Sequence, residues 1–137
     1  DDENYIPDIV VLLQATSPLR KKDDIDNAIE KFILQTADSL ISGSKFEDFL
    51  FWEKQKNNWI PVNYNPNNRM RRQDRNMQFV ENGSIYMFKP EILYKFNNRI
   101  GGKMIVYEME FWQTWEIDTY DELDLLTFYY NKFLIKE

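Results

Sequence analysis

An unbroken apolar run, Ile9-Val10-Val11-Leu12-Leu13, gives way to Gln14 and is halted by Pro18. Apolar residues in succession, with no polar alternation, describe a strand covered on both faces, as in a parallel sheet. Asp23 and Asp24 then place negative charge at a helix start, and Ile25, Ala28, Ile29, Phe32 and Ile33 recur at helical spacing along one side. Strand followed by helix opens an α/β layer fold. It also singles out the residues that leave the strand, because open α/β sheets bind ligands beyond the carboxyl ends of their strands.

The rest of the chain extends the pattern. Ser39 to Ser44 reads as a second strand. Phe49 to Glu53 and Trp59 to Val62 flank the polar Gln55-Lys56-Asn57-Asn58 as a hairpin. Asn63 to Gln78 shows no period; a loop of that length in a compact domain is usually functional or an interaction arm. Ser84 to Phe88 is a strand, Pro90 opens a short helix, and Gly101-Gly102 turns into the strand Met104 to Met109. Trp112 to Asp118 alternates apolar and polar residues as a last strand. Thr119 with Glu122 forms the capping box of a final helix whose apolar side is Leu123, Leu126, Tyr130 and Phe133. The expected architecture is one α/β domain, or a large piece of one, over 137 residues, carrying an irregular, aromatic-rich insertion at 45–82.

Composition limits the chemistry. With no cysteine and no histidine, disulfides, thiolate or imidazole metal sites and histidine acid/base catalysis are excluded, leaving carboxylates, Arg, Lys, Tyr and amides. No apolar run approaches the ~20 residues of a membrane span, and the start Asp1-Asp2-Glu3 is the opposite of a signal peptide, so a cytoplasmic protein without membrane partners is expected. The net charge of −6 argues against nucleic-acid binding. Against that background Arg69, Arg71, Arg72 and Arg75 crowd into seven residues, either as a solvated basic loop or as a clamp for carboxylate or phosphate. The aromatic share of 16% exceeds the need of a small core, so some of these rings belong at an interface or a pocket.

Three ordered motifs carry a family resemblance. Leu13-Gln14-Ala15-Thr16-Ser17-Pro18-Leu19-Arg20 resembles the LQPTSPLR motif of acylneuraminate cytidylyltransferases, with Ala15 in place of the usual proline. Arg71-Arg72-Gln73-Asp74 followed by Asn82-Gly83-Ser84-Ile85-Tyr86 resembles their RRQD and NGAIY motifs. Glu116-Ile117-Asp118 stands where these enzymes carry an acid–Ile–Asp motif. Together the motifs span almost the whole chain.

The resemblance implies part of a Rossmann-like nucleotide-diphospho-sugar transferase fold. It implies an enzyme that joins CMP from CTP to the anomeric hydroxyl of an acidic nine-carbon sugar, with magnesium and release of pyrophosphate. On it, Arg72 is the catalytic motif arginine, Arg71 being open to a surface role. Gln14, Thr16, Ser17, Arg72, Gln73, Asn82 and Tyr86 bind substrate, although Asn82 can also be read as a turn residue before Gly83. Glu116 and Asp118 hold the metal; residues i and i+2 of a strand face the same side, and two carboxylates suit one hard cation. Exposed acids on a strand edge are the alternative.

The 45–82 arm would exchange with a second subunit in a homodimer and place Arg72 in the partner's site. Two departures qualify the match. The segment Phe46-Glu47-Asp48-Phe49-Leu50-Phe51-Trp52 lacks the His-Pro pair and lysine common in sialic-acid enzymes, which leaves related nonulosonates open. The basic Gly-rich loop that cradles CTP phosphates is not among the four glycines present, so the N-terminal nucleotide-binding part is expected to be missing and the chain alone to be inactive. Without that loop, the cations left for a nucleotide are Arg20, Lys21, Lys22 and the arm arginines. The rival reading is a truncated, non-catalytic dimerisation module of the same family.

Overall fold

The computed structural model describes residues 5–46 and 49–135. The acidic start at 1–3, and Glu47 and Asp48 in the segment that departs from the family pattern, lie outside them. The described chain runs β1 (Val10–Leu13), α1 (Asp24–Leu34), β2 (Ser39–Lys45), β3 (Trp52–Gln55), β4 (Asn58–Pro61), β5 (Phe79–Phe88), α2 (Pro90–Phe96), β6 (Met104–Met109) and α3 (Tyr120–Phe133). This is an α/β architecture on a mixed sheet, with strand order β1-β5-β2-β6. β2 and β6 are parallel, while β5 runs antiparallel to both of its neighbours, β1 and β2.

That order corrects the expectation for the first strand. β1 pairs only with β5, in antiparallel register from Val10 opposite Phe88 to Leu13 opposite Ile85, and Val11, Leu12 and Leu13 are exposed. An apolar run records the wish to be buried, not which partner buries it; among the described residues β1 is a sheet edge.

One face of the sheet carries the core. Ala28 and Phe32 of α1 pack on Leu40 of β2, Ile85 and Met87 of β5 and Met109 of β6, with Ala37 closing the helix exit. The helical spacing of Ala28 and Phe32 puts them on one stripe, and fully burying a side chain the size of Phe32 is worth ~1.5–3 kcal/mol. At the turn into β6, Gly102 takes a left-handed φ of 61° and packs on Asp38. Asp38 in turn accepts hydrogen bonds from the Lys103 amide (2.8 Å) and the Lys89 ammonium (2.7 Å). These contacts hold the Asp38 carboxyl below its ordinary range, the Lys103 amide contributing most, and raise Lys89 through its bond to Asp38.

β5 is longer than the strand read from sequence. Its first residues, Phe79 to Glu81, continue the ladder to β2 past an irregularity between Ile41 and Gly43, so the sheet reaches into the end of the 45–82 insertion. Within the insertion, β3 and β4 form a separate two-stranded hairpin whose ladder runs from Trp52 opposite Pro61 to Gln55 opposite Asn58. Lys56, in the left-handed region at φ 55°, makes the tight turn. Asn63 ties the base, receiving the Phe51 amide (2.9 Å) and donating to the Phe49 carbonyl (3.0 Å) and to Gln78 (3.3 Å). Phe46 stacks on Phe49, Phe51 and Phe111, which joins the insertion to the sheet's end.

The last strand expected from sequence, Trp112 to Asp118, is not one. Phe111–Thr114 is a 3-10 turn closed by a capping box between Glu110 and Gln113, and the chain then runs extended without a ladder partner. The apolar alternation there has a different cause. Trp112 stacks on Phe133 of α3 at 4.7 Å, and Ile117 lies in an apolar crevice with Pro18, Leu19, Leu123 and Leu126. The capping box of α3 forms as read: Thr119 Oγ1 accepts from the Glu122 amide, and Glu122 accepts from the Thr119 amide. The Asp118 and Thr119 bonds hold the Glu122 carboxyl below its usual range.

Candidate active site

β1, β2 and β6 point their carboxyl ends the same way, and the first half of antiparallel β5 lies beside them. The loop that leaves β1 therefore meets the Asn82-Gly83-Ser84 stretch and the segment following β6 at one end of the sheet. Gly83 is the pivot. At φ +65° it adopts a conformation that L side chains avoid, and a Cβ there would overlap Glu116 Oε1 and sit 2.6 Å from Gln14 Oε1. Two side-chain oxygens from distant motifs thus close over one α-carbon, in a space only glycine leaves open.

Backbone contacts fix this meeting. The Ile117 amide donates to the Thr16 carbonyl at 2.8 Å, so the acid–Ile–Asp segment is bonded directly to the loop after β1. Thr16 and Gln14 are half-buried, Glu116 is half-buried and Asp118 is exposed. Because no strand forms here, the argument that Glu116 and Asp118 share a strand face does not apply. What Glu116 faces is set by Gly83 and Gln14, and the Asp118 amide is bound to Glu122 (2.8 Å).

Other predicted residues are turned inward. Ser17 is buried and its hydroxyl donates to the Asn82 carbonyl (3.3 Å). Asn82 is 1% exposed; its Oδ1 accepts from Ser42 (2.6 Å) and from the Ser84 amide (3.2 Å), and its Nδ2 faces the Met109 sulfur at 3.3 Å. This places Asn82 inside the sheet's end, supporting the Gly83 turn, with its bonding capacity used within the chain. Tyr86 projects on the face opposite α1, donates to Glu81 at 2.5 Å and lies 4.0 Å beneath the Arg99 guanidinium. Burial, and then the Glu81 carboxylate, pushes its phenol up.

Arg20, expected as a cation for a nucleotide, is half-buried and turns Nη1 onto its own chain. Its guanidinium bends back to the Ser17 carbonyl (2.5 Å) and to the Ser84 hydroxyl (3.2 Å) and carbonyl (3.3 Å), where it clamps the loop to β5. Burial lowers its pKa against the pull of Asp24. Lys21 pairs with Glu110 at 3.5 Å.

The arm residues form a second locus. Arg69, Met70, Arg71, Arg72 and Arg75 line a cleft of about 260 Å³ with Leu50 and Tyr64. Arg71 is bound to Asp74 at 2.8 Å, Arg72 and Gln73 are exposed, and the cleft's lining contains none of Gln14, Tyr86, Glu116 or Asp118. Within one chain, the structure brings together the first and third motifs, and arginines of the second motif line the cleft on the insertion.

Sequence reasoning missed a buried polar set behind the site. Asp24, read as a helix-start charge, is 6% exposed and accepts from the Lys21 amide (2.6 Å), the Tyr107 hydroxyl (3.1 Å) and Gln113 Nε2 (2.7 Å). Burial and the Asp24 charge push the Tyr107 phenol up to about 12. Gln113 belongs to no motif, and no signal in the sequence marks it.

Any metal here would meet oxygen donors only, since the chain has neither cysteine nor histidine. The approach of Glu116 Oε1 and Gln14 Oε1 over Gly83 is compatible with a hard cation, which needs one or two carboxylates and completes its shell with phosphate and water. Among the described residues no group of three or more acids gathers, and no helix is long and apolar enough to cross a membrane.

No family model matches the chain. Among curated proteins, it is similar to N-acylneuraminate cytidylyltransferase A of Danio rerio, 35% identical over 106 residues, covering 75% of this chain and 24% of the relative. It is also similar to the N-acylneuraminate cytidylyltransferase of Oncorhynchus mykiss, 32% identical over 105 residues, covering 74% of this chain and 24% of the relative. The matched stretch is thus about a quarter of each relative's length. On these matches and the ordered motifs, the chain belongs, as a partial match, to the N-acylneuraminate cytidylyltransferase family.

Proposed function

We propose that the protein to which this chain belongs transfers CMP from CTP to the anomeric hydroxyl of a nonulosonic acid and releases pyrophosphate. The observation that carries this reading is the convergence of Gln14 and Glu116, from two separate motifs, over Gly83 at the carboxyl ends of the strands. A non-catalytic dimerisation module has no use for that arrangement. The similarity to named cytidylyltransferases supports the same chemistry.

In this reading Gln14 offers an amide to the hydroxyl or N-acyl groups of the sugar, with Thr16 beside it. Ser17 and Asn82 act behind them, through the loop and the turn they fix. Tyr86 is oriented by Glu81 and Arg99 on the opposite sheet face. Glu116 and Asp118 would hold Mg²⁺, which when bound stabilises charge developing on the phosphates. Arg72 lines a cleft on the insertion, with Gln73 next to it in sequence. Its guanidinium fork suits a carboxylate or phosphate of the neighbouring subunit's substrate, which makes the homodimer part of the mechanism. The reaction needs no protein nucleophile; positioning and electrostatics supply the rate.

The test is the full-length protein with CTP, Mg²⁺ and a panel of nonulosonic acids, with pyrophosphate followed. Release that depends on both substrates is expected. Absence of release with every acid tested, or release that ignores the sugar, overturns the reading.

A further inference from the structure

Gln113 is 2% exposed and lies three residues before Glu116. Its Nε2 donates both to the Leu19 carbonyl (2.9 Å) and to Asp24 Oδ2 (2.7 Å), while its Oε1 accepts from the Glu110 amide (3.0 Å). One amide therefore caps its own 3-10 turn and reaches across to the loop after β1. The second tie between the same two segments is the Ile117 amide on the Thr16 carbonyl. Residues 113–117 are thus pinned at both ends to the loop that presents Gln14, and Glu116 lies between the pins.

We propose that Gln113, anchored on buried Asp24, is a positioning residue that holds the Glu116–Asp118 segment in register with Gln14. Asp24 is itself fixed from two further directions, by the Lys21 amide and the Tyr107 hydroxyl, so the anchor does not depend on Gln113. Removing the Gln113 amide takes this donor from the Leu19 carbonyl and one of its two donors from buried Asp24 Oδ2, which keeps the Lys21 amide. The segment then relieves that cost by moving away from the loop. Among the described residues the extended stretch after the 3-10 turn has no ladder partner to resist the movement.

The experiment is site-resolved amide hydrogen exchange on the full-length protein. Gln113→Met, close in shape but unable to donate, is expected to lower protection of the Ile117 amide by about tenfold or more while β2 and β5 amides keep theirs. Asp24→Ala, which removes the anchor and leaves the Leu19 bond, gives the same local loss. Asp24→Asn keeps the protection, because its amide oxygen still accepts from Lys21 and Gln113 and its amino group donates to the Tyr107 oxygen. Unchanged Ile117 protection in Gln113→Met overturns the proposal. So does a loss spread equally over β2 and β5, or failure of both disruptive variants to fold.

The consequence for turnover rests on the cytidylyl-transfer reading. There Gln113→Met lowers kcat by about 10–100-fold with KM for CTP little changed, as a misplacement near 1 Å would. Exchange reports the latch whether or not that reading holds. A local exchange effect without cytidylyl transfer would therefore count against the function alone.

Discussion

Gln14 and Glu116 bring their side-chain oxygens into the same space above the α-carbon of Gly83, although they come from opposite ends of the chain. Gly83→Ala must therefore meet two costs. The left-handed φ of 65° carries about 1–2 kcal/mol for any residue with a Cβ, and the added methyl displaces the two oxygens. A lowered melting temperature in the full-length protein, together with a loss of turnover larger than the loss of folded protein, is the expected result. An alanine variant of unchanged turnover would separate this turn from the site.

Asp118 is exposed, and its contact with α3 is made by its backbone amide, not its carboxylate. In the full-length protein, Asp118→Ala should thus keep its melting transition and lose magnesium-dependent turnover. Full activity, with an unaltered magnesium dependence, removes Asp118 from the metal site.

The insertion exposes Phe49, Phe51, Trp52, Trp59 and Val62 on a small hairpin, an apolar surface of the kind that marks an interface. Light scattering of the full-length protein at micromolar concentration should give the mass of a dimer. Phe49→Asp combined with Trp59→Asp should shift it to the monomer without unfolding the sheet, since neither ring belongs to the core under α1. A wild-type monomer at that concentration would overturn the assignment.

The Asp38–Lys89 pair sets a pH window. Asp38 is held below its ordinary value of 3.8, so its stabilising contribution is present above that pH and is lost as pH falls through the folded value. Lys89 is raised above 10.5, so its contribution is full below that pH and is lost as pH rises through the folded value. The destabilisation caused by Lys89→Met should accordingly be constant between about pH 5 and 9 and shrink at both extremes. Thermal melts of both proteins across that range, showing a difference that grows toward acid, would contradict the pairing.

The elements were largely legible because their causes are local. The 3.6-residue spacing from Ile25 to Ile33 needs only its own helix, the Thr119–Glu122 box satisfies amides within one turn, and Gly101-Gly102 reverses the chain wherever it occurs. The three motifs likewise announced the family and named Gln14 and Glu116. Tertiary structure decided what those residues face. The same alternation that reads as a strand over 112–118 serves a 3-10 turn and an apolar crevice, because Phe133 and Leu126 of α3 offer Trp112 and Ile117 better burial than a ladder would. Arg20, Ser17 and Asn82 carry polar groups that could serve a ligand, yet folding buries Ser17 and Asn82, half-buries Arg20 and gives all three hydrogen-bond partners within the chain, since a buried polar group left unpaired is costly. Gln113 gave no signal at all, since its partners Leu19 and Asp24 lie far away in sequence and become neighbours only when the loop after β1 closes on the segment after β6.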